Sequence, residues 1–173
     1  MEANTQKTEL NKNLFAVQNM VYEHCDLEIS DLSVESEGTE YDACSFLLKG
    51  KRVISRSAKI TPKKVGQFVT FWKRNEEGIT APYEATDLFD FYIVQVTNKH
   101  RLGQFVFPKQ ELVNRGIVTT ESKDGKRGFR VYPIWDHPQS KQAIKTQQWQ
   151  LHYFYEITNK TDVQKVIELY HFK

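Results

Sequence analysis

Residues 90–107 carry the densest apolar stretch of the chain, and that stretch most constrains the fold. Phe91, Tyr92, Ile93 and Val94 follow one another without a charge. Gln104, Phe105, Val106 and Phe107 return to the same character after a turn expected at residues 98–101. Short runs of aromatic and β-branched residues favour strands, and a run apolar at every position has to bury both of its faces. The two runs are expected as a hairpin deep in a sheet. A second hairpin is expected upstream. Residues 41–48 form one arm, Lys49-Gly50-Lys51 the turn, and Val53, Ile54 and Ala58 mark the returning arm.

The remaining pattern places helices around that sheet. Leu10, Leu14, Val17, Val21 and Cys25 recur at intervals of three and four, which predicts a helix over residues 9–25. Pro108 opens a helix through Asn114 with Gly116 at its stop. Pro138 and Ser140 precede a helix over residues 141–155, and Asp162 caps a last one to about Tyr170. Further strands are expected at 67–72, 117–119 and 128–132, and a loop at 75–86. Gly66-Gln67-Phe68-Val69 recurs as Gly103-Gln104-Phe105-Val106, which reads as two turns entering similar buried strands. No linker interrupts the 173 residues, so the expectation is one α+β domain over 1–173: a central, mostly antiparallel sheet flanked by helices.

Several classes are excluded at this stage. No apolar run approaches the roughly 20 residues a bilayer demands, and residues 1–9 carry no apolar leader segment. Cys25 and Cys44 lack a metal-ligand spacing and read as free, buried thiols of a reducing, cytoplasmic protein, with no membrane partner. The histidines are scattered, and no phosphate-cradling glycine loop is present.

Charge is distributed unevenly. Residues 1–47 hold ten Asp or Glu and only Lys7 and Lys12, whereas residues 49–74 hold nine Lys or Arg and no acid. A cationic field of this kind attracts polyanions. Its centre is Arg56-Ser57-Ala58-Lys59-Ile60-Thr61-Pro62-Lys63-Lys64, where cations, hydroxyls and backbone amides combine as they do at phosphates. The alternative is a solvated basic loop. Trp72 beside Lys73 and Arg74 either stacks a base or, the reading favoured here, ends a core strand. Strand alternation sets Arg130 and Tyr132 on one face and Phe129 and Val131 on the other, with Asp136 placed to pair with Arg130. Lys141 and Lys145 share a helix face near Gln148, a backbone-binding or merely solvated surface.

An enzyme requires more. Metal-dependent nucleases of the restriction-endonuclease type use an Asp, then an acid two residues before a Lys, with Mg²⁺ or Mn²⁺ held by the carboxylates. Here Ser57 and Phe107 stand where that acid belongs before Lys59 and Lys109. Glu40, Asp42, Asp87 and Asp90 are the available carboxylates, and Asp87 or Asp90 with Lys59 or Lys109 would be the catalytic candidates. None completes the pattern, so no catalytic residue, metal ligand or cofactor is assigned.

The chain resembles the MepB family. The resemblance rests on residues 58–69 through Trp72-Lys73-Arg74, on Ala81-Pro82-Tyr83 followed by residues 87–92, and on residues 103–109. Residues 125–136 and 142–150 complete it, so it spans roughly 9–155. The family takes its name from a protein encoded beside a multidrug efflux pump. The resemblance implies a compact core similar to restriction-endonuclease-like or other nucleic-acid-binding folds, and it supplies no accepted catalytic residue. The leading expectation is a non-catalytic module that holds nucleic acid, DNA ahead of RNA, by its backbone in a basic cleft. That cleft would draw on Lys51, Arg56, Lys59, Lys63 and Lys64, on Lys73, Arg74 and Lys109, and on Lys126, Arg127 and Arg130. The alternatives are a metal-dependent nuclease and a regulatory module that binds another protein through the acidic front.

Overall fold

The computed structural model describes residues 10–172. The polar start over residues 1–9, and with it the first residue of the expected helix, lies outside the described residues. Helix α1 (Lys12–Met20) begins at Asn11, whose side chain accepts a hydrogen bond from the Leu14 amide at 2.9 Å, and a single 3-10 turn (Tyr22–Cys25) follows it. Three strands come next: β1 (Ile29–Val34), β2 (Cys44–Leu48) and β3 (Lys51–Ser57). Four short ones follow: β4 (Lys59–Ile60), β5 (Gln67–Thr70), β6 (Trp72–Arg74) and β7 (Thr80–Pro82). The long hairpin is β8 (Phe91–Asn98) and β9 (Arg101–Pro108). The chain ends with α2 (Lys109–Asn114), β10 (Gly128–Val131), α3 (Lys141–Gln150), β11 (Phe154–Glu156) and α4 (Val163–Leu169).

Six strands make the main sheet in the order β1-β2-β3-β8-β9-β11. All of its pairings are antiparallel except β3 with β8, which run parallel with Val53 opposite Phe91 and Ser57 opposite Gln95. Asp90 aligns that junction: its carboxylate accepts from the Arg52 amide at 2.8 Å, and its own amide donates to the Arg52 carbonyl at 2.9 Å. A three-stranded sheet, β10-β5-β4, and a two-stranded one, β6-β7, lie outside the main sheet.

Alternation divides the core in two. Phe46, Val53, Phe91, Ile93 and Val106 face α1 and α4. Ile54, Tyr92, Val94, Phe105 and Phe107 face the small sheet, where Val69, Phe71, Phe129 and Val131 meet them. The two-sided burial expected of β8 and β9 is therefore realised. The α1/α4 side also buries a polar chain. The Tyr22 and Tyr170 hydroxyls lie 2.5 Å apart, the Gln104 amide donates to Tyr22, and the Gln104 carbonyl accepts from Tyr155 at 2.6 Å. Gln104 reaches on to Gln95, and Gln95 donates to Ser55 at 2.9 Å. Each of these groups finds a partner within the core, which is the condition for burying polar atoms at all.

Three expectations need correction. The helix over 141–155 ends at Gln150, and Phe154–Glu156 instead becomes the edge strand β11, because Phe154 and Tyr155 are needed to cover β9. Residues 117–119 make only an isolated bridge from Thr119 to Glu84, while the expected loop at 75–86 contains β7. The repeated tetrapeptide has two different contexts. Gly66 takes φ +84° in the turn into β5, whereas Gly103 lies inside β9, where a Cβ would come within 2.5 Å of the Phe154 ring. Both cysteines are free and buried, and no helix among the described residues is long and apolar enough to cross a membrane.

Burial pushes the Cys44 thiol up to about 11 and holds the hydroxyls of Tyr22, Tyr92, Tyr155 and Tyr170 far above the ordinary phenol range. For each of these groups the folded pKa exceeds the unfolded one. The stability they contribute is complete below the unfolded values and is lost as pH rises through the folded values. The urea midpoint should therefore hold steady from about pH 7 to about pH 8.5 and fall steeply above about pH 9.5. A midpoint that stays flat to about pH 11 would contradict this account of the core.

Candidate nucleic-acid interface

The small sheet presents one face to the core and one outward. In an antiparallel pair directly opposed residues project to the same side. Gln67, Val69, Phe129 and Val131 are buried, so the opposite set points away. Across that outer face Lys59 stands opposite Phe68, and Phe68 stands opposite Arg130. Tyr41 closes one side: its ring lies edge-on to Phe68 with centroids 6.4 Å apart, and the Lys59 ammonium sits 4.9 Å above it. The outer face thus carries an aromatic ring between two cations.

Arg130 also braces the neighbouring loop. Its guanidinium donates to Thr61 Oγ1 at 2.6 Å and to the carbonyls of Val65 and Gly66 at 3.2 and 3.3 Å. Lys63 and Lys64, both exposed, lie in the turn between these anchors. The expected pairing of Arg130 with Asp136 is not made, since the guanidinium turns to the loop instead. Helix α3 fixes β10 along its free edge. Gln150 accepts from the Tyr132 amide at 2.8 Å and donates to the Arg130 carbonyl at 2.9 Å, and Gln147 donates to the Pro133 and Asp136 carbonyls. At the other end of β10, Lys126 and Arg127 are exposed, and Arg127 donates to the Thr80 carbonyl at 3.2 Å. Among the described residues no carboxylate lies within ion-pair distance of Lys63, Lys64, Lys126, Arg127 or Arg130. Lys59 has only the exposed Glu40, at 3.4 Å.

Five of the eleven cations expected in one basic cleft lie or act elsewhere. Arg56 is only 3% exposed. It donates to the Ser55 carbonyl at 2.8 Å and pairs with Glu35 at 3.1 Å, so its charge serves the core. Lys73 bridges Glu84 and Asp87, both at 2.8 Å. Burial pulls its pKa down, and the hydrogen bonds to Asp87 and Glu84 outweigh that, so the ammonium ends above its ordinary value. Arg74 is clasped by both oxygens of Glu37 at 2.9 and 3.0 Å and lies over the half-buried Trp72 ring. Lys51 and Lys109 flank a cavity of about 470 Å³ with Asp90 and His171 at the far end of the main sheet. That end is roughly 20 Å from Lys59 by the rise of β3.

The carboxylates divide in the same way. Glu40 and Asp42 lie at the Lys59 end, and Asp87 and Asp90 at the Lys109 end. Asp87 holds Lys73 and the Glu84 amide, and Lys109 donates to the Asp87 backbone carbonyl. Asp90 holds the Arg52 amide. Among the described residues no three His, Cys, Asp or Glu side chains gather as a metal-binding group, and the four carboxylates weighed for the nuclease alternative are split between the two ends of the sheet, with only Asp87 meeting a lysine ammonium at Lys109 or Lys73. Phe68 and Tyr41 were not among the site residues expected from the sequence. The available signal was the alternation Gln67, Val69, Phe71 against Phe68 and Thr70, which strands an aromatic ring on a polar face.

These elements define an α+β protein whose mixed sheet carries a smaller basic sheet on one side. The family model described as MepB-like matches residues 35–156. The chain belongs to the MepB-like family. A crystal structure of MepB is similar to it at 40% sequence identity, with a TM-score of 0.73, covering 76% of this chain and 88% of that one. A bacterial homing endonuclease is similar at 15% identity and a TM-score of 0.45, over 85% of this chain and 92% of that one. That likeness is too slight to carry a fold or an activity across. No curated protein matches the chain.

Arg130→Met should release the turn that holds Lys63 and Lys64, because its hydrogen bonds to Thr61, Val65 and Gly66 are lost together. Limited trypsin digestion should then cut at Lys63 or Lys64 several-fold faster, at unchanged global stability to within about 1 kcal/mol. Equal digestion rates would show that Arg130 does not brace the loop.

Proposed function

We propose that this chain binds nucleic acid through its phosphate backbone on the outer face of the small sheet. The observation that carries the reading is the convergence there of Lys59, Lys63, Lys64 and Arg130, with Lys126 and Arg127 at the far end. Only Lys59 has a carboxylate partner among the described residues, and that partner is solvent-exposed. Exposed ion pairs contribute little, so displacing Glu40 from Lys59 costs about 1 kcal/mol or less. A phosphate meets on this face the donors that backbone recognition uses: two lysines on a braced turn, a guanidinium, and the threonine hydroxyl of the loop. DNA is the expected partner ahead of RNA.

The reading requires steep salt dependence. Each neutralised phosphate contributes about 0.9 to the slope of log affinity against log salt on a duplex, and about 0.7 on a single strand. Replacing Lys63 and Lys64 together by Ala should weaken binding of fluorescent DNA in an anisotropy titration and flatten the slope by roughly 1.4 to 1.8. Arg56→Met should leave the slope unchanged while lowering stability by about 2 kcal/mol, because the carbonyl and carboxylate it serves lose their donor. Binding that is indifferent to Lys63 and Lys64 would move the interface off this face.

A further inference from the structure

The outer face carries more than charge. Phe68 is not packed as an ordinary strand residue, because its ring lies across the neighbouring strand at Gly128. A Cβ on Gly128 would come within 2.6 Å of the ring tip, so only glycine leaves room for the ring to lie there. The ring has an edge contact from Tyr41 and is bordered on its own row by Lys59 and Arg130. The half-buried ring rests on β10 at Gly128, on the face of the small sheet opposite the core residues Gln67 and Val69.

We propose that Phe68 is a stacking platform for an unpaired base and that the preferred ligand of this face is therefore a single-stranded polynucleotide. The inference rests on the phosphate-binding reading given above and names the ligand class for the same site. A duplex turns base edges toward a protein and keeps its base faces stacked inside. A ring between two cations can meet a base face only where the strand is open. Lys59 flanks that base on one side, and on the other Arg130 has N–H donors beyond the three bonds it gives the loop; Lys63 and Lys64 on the braced turn would take the next phosphates. The contact needs no base edge to be read, so it discriminates strandedness rather than sequence.

The test uses the full chain and three probes of equal length: an oligothymidylate, the same backbone with abasic sites, and a hairpin duplex, with an oligouridylate arm to separate DNA from RNA. The wild-type protein should bind oligothymidylate at least about fivefold more tightly than the abasic strand, the lower range of base-aromatic stacking. Phe68→Leu keeps apolar bulk over Gly128 and removes the π-face. It should abolish most of that ratio without altering abasic or duplex binding, and Phe68→Tyr should restore it. A thermal melt of each variant shows that the fold is retained. Equal affinity for oligothymidylate and the abasic strand, or a ratio unmoved by Phe68→Leu, overturns the stacking platform while leaving phosphate binding intact. Failure of all probes to bind at low salt overturns the phosphate-binding reading itself.

Discussion

The parallel pairing of β3 with β8 is the contact on which the rest of the molecule depends. It puts β8 between β3 and β9 and buries it on both faces, so side layers have to form above and below it. One layer is helical, α1 with α4. The other is the small sheet with α2 and α3. Parallel neighbours also require a long crossover, and residues 58–90 supply it. The basic loop, Phe68 and β6-β7 all belong to that crossover. The candidate interface thus draws its loop and Phe68 from the segment the central pairing forces to leave the sheet and return, and β10 adds Arg130 beside them.

Two-sided burial has a second consequence. Strand β3 alternates Val53 and Ser55 toward the helices with Ile54 and Arg56 toward the small sheet. Its polar positions must be satisfied internally. Ser55 does so through Gln95 and Gln104 to three tyrosines, and Arg56 through Glu35 and main-chain carbonyls. Buried polar groups of this kind are valuable only when complete, since a lost partner leaves the rest desolvated without compensation. The two buried side-chain atoms without a partner among the described residues, Gln67 Oε1 and Trp135 Nε1, lie on the small-sheet and α3 side rather than in this network.

The sequence made the hairpin of β8 and β9, the upstream hairpin, the first helix and the Asp162 cap legible, because each depends on local periodicity or a local side chain. What it could not convey was which cations are committed. Arg56 and Lys59 stand three residues apart in one basic run, yet one is in the core and the other in water. Strand alternation separates them only once the break between β3 and β4 at Ala58 is known. Lys73 and Arg74 are claimed by Asp87 and Glu37, 14 and 37 residues away in the chain, a pairing that no local pattern announces. The end of α3 failed for the same reason. Residues 151–155 suit either state, and the open edge of β9 decided the outcome.

The acidic front and the basic block thus turn out to be two halves of one surface. Glu35, Glu37 and Glu40 lie on the segment between β1 and β2, and each meets a different cation of the basic block: Arg56, Arg74 and Lys59. The three pairs differ in burial, and that difference sets what each can do. Arg56 is sealed, so its pair holds β2 and β3 in place. Arg74 is clasped at both oxygens over Trp72, which fixes the rim. The Glu40 pair is the longest and most exposed of the three, and screening leaves it least to lose. The segment therefore acts as a graded boundary, firm where the fold needs it and weak at Lys59, where the aromatic and cationic row begins. Glu40 is thus the one carboxylate of the three whose loss leaves the structural pairs of Arg56 and Arg74 untouched.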